Sequence, residues 1–124
     1  MNKALFTLAK SPLGKLIIGI AFGTFHGLLP VDRVKETEKV LAFWHPKPFW
    51  EEHIIIVPKK AIKSLDAMSP DDLPYITEVF KVAREIVIGK GWDKAAFTIT
   101  TNGGTRQEVA QLHFHLGRGS RNGA

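Results

Sequence analysis

Gln107-Glu-Val-Ala-Gln111-Leu-His113-Phe-His115-Leu116 is the stretch on which the reading of this chain turns, because polar and apolar residues alternate without a break from 111 to 116. A period of two belongs to a β-strand. Leu112, Phe114 and Leu116 are therefore expected on a core-facing side, with Gln111, His113 and His115 in a row on the other, about 6.5 to 7 Å apart. Such a row supports two chemistries. The imidazoles can hold a transition metal if a third ligand, His45 or His53, joins them. Alternatively, one imidazole whose tautomer is fixed by a carbonyl can attack phosphorus while a second donor stabilises the phosphate charge.

Outward from this strand, Asn102-Gly-Gly-Thr-Arg106 is a loop rich in residues that tolerate positive φ, and Ala96–Thr101 before it reads as the preceding strand. Ser69-Pro70-Asp71-Asp72 opens a helix whose apolar positions Leu73, Ile76, Val79, Phe80, Ala83, Ile86 and Val87 keep the helical period up to Gly89, with Pro74 disturbing its first turn. His53-Ile-Ile-Ile-Val57 is a strand buried on both faces, stopped by Pro58. Lys39–Trp44 is another, ended by the His45-Pro-Lys-Pro48 turn, where two backbone donors are missing.

Residues 1–30 differ in character from residues 31–124, which read as one α+β domain. Lys3, Lys10 and Lys15 precede or open an apolar stretch, and 16–30 carries no charge. That stretch is short for a membrane span and interrupted by glycines, and no small-x-small cleavage pattern follows it. Ser11-Pro12 suits a helix start, so 12–26 is expected to be a helix that packs on the domain or on a second subunit, or lies in a membrane interface. The expected location is the cytoplasm, with membrane association through 12–26 as the alternative.

The chain has 124 residues, 44% of them hydrophobic, and 17 Lys and Arg against 12 Asp and Glu give 17 − 12 = +5. This is enough to bury a core without staples. With no cysteine, disulfides, thiolate zinc cages, cysteine nucleophiles and iron-sulfur sites are excluded. The positive balance favours anionic ligands, and Lys59, Lys60, Lys63, Arg106, Arg118 and Arg121 could steer them. No helix-turn-helix, zinc finger or RNA-recognition pattern is present, so sequence-specific nucleic-acid binding is not expected.

Phe43-Trp-His-Pro-Lys-Pro-Phe-Trp-Glu-Glu-His53-Ile-Ile-Ile-Val-Pro-Lys-Lys-Ala-Ile62, then Asn102-Gly-Gly, then Gln107-x-Val-x-Gln-x-His-x-His, together resemble the histidine triad superfamily of nucleotide hydrolases and transferases over about residues 38–117. The resemblance implies an antiparallel sheet with one main helix, here with an extra N-terminal helix, commonly in a homodimer. It implies a nucleotide or phosphate-ester substrate and no cofactor or metal. His113 would attack the α-phosphorus to give a nucleotidyl-histidine that water or another acceptor resolves. His115 would contact phosphate oxygens, His53 would support the site, and Asn102 and Gln107 would bind phosphate or leaving group. Gln111 stands where the first triad histidine is usual and would act through its backbone carbonyl. His45 stands where an acid that grips ribose is usual, Glu108 where a small hydroxyl residue is common, and Ala61 where a histidine is typical.

The chain is thus expected to be a metal-independent nucleotide phosphohydrolase or nucleotidyl transferase. The alternatives are a non-catalytic nucleotide-binding or membrane-associated relative and a metal-dependent enzyme using His113 and His115. Because the residues given catalytic roles lie at 53 or beyond, residues 1–29 are expected to be dispensable for the chemistry.

Overall fold

The computed structural model describes residues 12–23 and 31–121. In chain order these form α1 (Pro12–Ala21), β1 (Arg33–Glu36), β2 (Val40–Trp44), β3 (Trp50–Pro58), α2 (Leu73–Gly89), β4 (Phe97–Thr100) and β5 (Phe114–Arg121). The strands make one sheet in the order β1-β2-β3-β5-β4, every neighbouring pair antiparallel. The fold is α+β with a helix on each face.

The unbroken apolar run of β3 follows from its place at the centre of this sheet. Ile54 and Ile56 point into a core formed with Val40 and Ala42 of β2, Phe114 and Leu116 of β5, and the Val79, Val82, Ala83, Ile86 and Val87 stripe of α2. Ile55 and Val57 point the opposite way, into a second cluster with Leu41, Phe43, Val109 and the α1 residues Ile17 and Ile20. All four β3 residues are fully buried, and each such side chain contributes about 1.5 to 3 kcal/mol of transfer free energy. A strand with cores on both sides has no polar face to alternate.

Several boundaries differ from the sequence expectation for local reasons. The first helix ends at Ala21, because Gly23 takes φ +72° and closes it in a left-handed turn; residues 24–26 lie outside the described chain. Helix α2 begins at Leu73, after a 3-10 turn at Pro70–Asp72 in which the Asp72 carboxylate accepts the Ser69 N–H at 2.9 Å. Pro74 sits in the first turn, where its missing donor costs nothing. Strand β3 begins at Trp50, where Trp50 and Glu52 pair with Arg121 and Arg118. Strand β1 has no counterpart in the sequence reading, since Arg33-Val-Lys-Glu36 is short and polar. Strand β5 starts at Phe114 and leaves 111–113 outside the regular strand.

Candidate active site

Leaving residues 111–113 outside the ladder frees their backbone for other partners. The Leu112 N–H is bonded to the Ile62 carbonyl at 2.7 Å, and Thr101 Oγ1 donates to the His113 carbonyl at 2.8 Å. The Gln111 carbonyl lies 2.8 Å from His113 Nδ1. A carbonyl only accepts, so Nδ1 carries the proton and Nε2 carries the lone pair. The backbone therefore supplies the tautomer that a nucleophile needs.

The turn between β2 and β3 sets a second group of imidazoles. Pro46 and Pro48 have no N–H, and of the two donors between them and the strand, Lys47 N–H points to His45 Nδ1 and Phe49 N–H to His53 Nδ1, each at 2.9 Å. Both Nδ1 atoms are thereby acceptors, and both rings in their neutral form hold the proton on Nε2. His53 Nε2 lies 2.8 Å from His115 Nδ1. The proton on His53 makes it the donor, so His115 in turn keeps its own proton on Nε2. A chain of hydrogen bonds thus runs from Phe49 N–H through His53 to His115.

Burial keeps these rings neutral. Desolvation is the main cause holding His53 and His115 down to about 3 and His45 to about 4; repulsion from neighbouring imidazoles, and from Arg121 for His53 and His115, adds to it. His113 is also lowered, chiefly by burial, while its bond to the Gln111 carbonyl opposes the shift.

A cavity of about 280 Å³ lies above these groups. His45, His113 and His115 form its floor, Asn102, Arg106, Glu108 and Arg121 its rim, and Phe49 and Val109 its sides. Leu13, Gly14 and Ile17 of α1 form the remaining wall. One face of α1, which lies within the residues 1–29 expected to be dispensable for the chemistry, thus helps to enclose the site. Its residues carry no reactive group, and a wall needs none.

Of the residues singled out from sequence, His113, His115 and Asn102 meet at the cavity, and His53 stands behind His115. Gln111 and Gln107 do not line it. The Gln111 amide, 2% exposed, accepts the Ile62 N–H at 3.1 Å and donates to the Lys60 and Leu112 carbonyls at 3.0 and 3.2 Å. The expected polar row of Gln111, His113 and His115 is thus broken at its first member, because the chain leaves strand geometry before 114. Gln107 donates to the Lys63 and Val109 carbonyls at 2.6 and 3.0 Å. These amides hold the loops that carry the site. Sequence reasoning missed Phe49 and the α1 residues as cavity lining, and it treated His45 as a possible metal ligand or as a missing acid, not as part of the pocket's lining.

Among the described residues, the group whose ligand atoms converge is His45, His53 and His115, with nitrogens within 4.8 Å of one another, rather than a pair built on His113. Its polarity opposes a cation. A metal-bound imidazole presents an N–H from its other nitrogen, whereas Nδ1 of His45 and of His53 already faces a backbone N–H. Coordination through Nε2 would set two N–H groups against each other at both rings.

A family profile for the HIT domain matches residues 28–120. The chain belongs to the histidine triad family. It is 34% identical over 100 residues to an uncharacterised 13.2 kDa HIT-like protein of Azospirillum brasilense, covering 78% of this chain and 82% of that one. A histidine triad protein from Clostridium difficile superposes with a TM-score of 0.71 at 32% identity, covering 80% of this chain and 88% of that one. A HIT family hydrolase from Clostridium thermocellum gives 0.68 at 27% identity, with coverage of 77% and 85%. The triad fold is shared with these relatives, and this HIT protein carries it with glutamine at 111 and histidine at 45.

Proposed function

We propose that the protein is a nucleotide phosphohydrolase or nucleotidyl transferase acting at an α-phosphate through a covalent intermediate on His113. The observation that carries this reading is the 2.8 Å bond between His113 Nδ1 and the Gln111 carbonyl, which leaves Nε2 as a free lone pair on a ring that lines the cavity. In the reaction Nε2 attacks phosphorus and forms an N–P bond as the bond to the leaving group breaks. The His115 Nε2–H stabilises the charge gathering on the phosphate oxygens, and His53 holds that ring in the donating tautomer. Asn102 offers a further amide from the rim. Gln111 acts through its backbone carbonyl, and Gln107 acts by fixing its loop. Water or another acceptor then displaces His113. No step calls for a metal.

The assembly we propose is a homodimer formed through the β4 side of the sheet. An apolar hollow of about 320 Å³ there is lined by Phe80, Val87, Ile88, Phe97 and Ile99. Phe80, Ile88 and Phe97 are each about half exposed, and β4 is an edge strand. Residues 31–124 form the catalytic unit in this reading, and α1 packs against it.

Incubation with a nucleotide labelled at its α-phosphorus tests the chemistry. A base-stable, acid-labile label should appear on the wild type and vanish in His113→Ala, together with turnover. Turnover that survives His113→Ala would exclude this mechanism. Nucleotide binding without label or turnover would leave the non-catalytic reading.

A further inference from the structure

The groups that face the reacting phosphate have no proton to give away. His113 Nδ1–H is tied to a carbonyl and its Nε2 is the attacking atom. For His115 to become cationic, it must gain a proton at Nδ1, where the His53 Nε2–H already points. His53 could turn acceptor only by moving its proton to Nδ1, against the Phe49 N–H. Lys47 N–H locks His45 in the same way. The low protonation points of His45 and His115, about 4 and 3, agree. The Gln111 amide faces away and is fully engaged.

The cavity does hold fixed positive charge. Arg106 and Arg121 line it, and the Arg121 guanidinium lies 5.9 Å from the Phe49 ring centre and 5.6 Å from that of Trp50. Trp50 is itself seated on Gly117, where a Cβ would come within 2.3 Å of its ring. Arginine cannot act as an acid at neutral pH, but it stabilises an oxyanion through paired N–H donors.

We infer that Arg121, assisted by Arg106, is the leaving-group contact, and that the site cleaves nucleotide anhydrides, whose leaving group departs as a phosphate-type oxyanion, in preference to phosphoramidates. This rests on His113 being the nucleophile. In the first step Nε2 gives its pair to phosphorus, the P–O bond breaks, and its electrons stay on the leaving oxygen beside Arg121. Water then forms the new P–O bond, the N–P electrons return to Nε2, and the water proton passes to the buffer. An amine cannot leave this way, because its nitrogen must be protonated as the P–N bond breaks. Glu108 is the one carboxylate on the cavity wall among the described residues, and it is exposed.

A matched series of adenosine 5′-phosphoryl compounds tests the inference, with p-nitrophenolate, phosphate or an alkylamine as leaving group. The ester and the anhydride should turn over at neutral pH, and kcat/KM for the amine should be lower by at least about 100-fold, the scale of a missing general acid. Arg121→Gln should lower kcat/KM for the anhydride at least about tenfold more than for the p-nitrophenyl ester, with Arg121→Lys recovering part of the difference. An amine within tenfold of the anhydride would overturn the inference, as would equal losses for both substrates in Arg121→Gln. So would selective loss of amine turnover in Glu108→Gln, which would identify an acid. Failure of the wild type to form a label or to turn over even the p-nitrophenyl ester would instead remove the nucleophile reading on which the inference rests.

Discussion

Gln111 separates what a side chain does from what its backbone does. Its carbonyl fixes the His113 tautomer, while its amide links the strand approach to the segment at 60–62. Gln111→Ala should therefore lose stability by about 1 to 3 kcal/mol, from buried groups left unpaired, while turnover per folded molecule falls only mildly. Thermal unfolding and kcat measured on the same samples separate the two, and a loss of kcat as deep as that of His113→Ala with unchanged unfolding would refute the assignment. Three neighbouring imidazoles give a pH prediction. His45, His53 and His115 stay neutral in the folded chain down to about 4, 3 and 3, whereas in the unfolded chain they take protons near 6.5. Between these limits the unfolded state binds more protons, so stability should fall as pH drops from about 6.5 toward 4. Urea midpoints at pH 7.5 and 5 should differ in that direction, and equal midpoints would contradict it. The histidines were legible in sequence from their spacing. The Gln111 carbonyl that fixes His113 was expected from the family resemblance, whereas the tautomers of His45, His53 and His115 were not legible, because the deciding partners are the N–H groups of Lys47 and Phe49, and main-chain atoms leave no mark in a sequence.

Among the elements, α2 and β3 were readable because periodicity and a β-branched run state their burial outright. The role of α1 was not. Leu13, Ile17 and Ile20 show only that it has an apolar stripe, and which surface receives the stripe depends on contacts with β2 and β3 far along the chain. Ile17 is 1% exposed and both packs on that cluster and lines the cavity. Ile17→Ala should cost about 2 to 5 kcal/mol and also raise KM, whereas Ile86→Ala in α2, of similar expected cost, should leave KM alone. Substrate titrations of the two variants at a temperature where both are folded provide the comparison. An unchanged KM in Ile17→Ala would show that the α1 wall does not touch the substrate.

For the whole molecule, the sheet order sends the two kinds of exposed surface to different places. The cavity opens on the α1 side, while the apolar hollow and the free edge of β4 lie toward α2. Phe97→Lys, on an exposed side chain at that edge, should turn a dimer into a monomer in sedimentation equilibrium and keep the fold, as read by far-ultraviolet circular dichroism. A wild type that sediments as a monomer at all concentrations would remove the proposed interface. Among the described residues no helix is long and apolar enough to cross a membrane, and the buried face of α1 is already occupied by the sheet. The cavity has one further property: its wall comes from residues 13–17 and its floor and rim extend to Arg121. A ribosome must deliver nearly everything between those points before the pocket closes. A chain stopped by premature termination before β5 lacks the strand that joins β3 to β4 and with it part of the cavity lining, so the pocket is among the last features that synthesis completes.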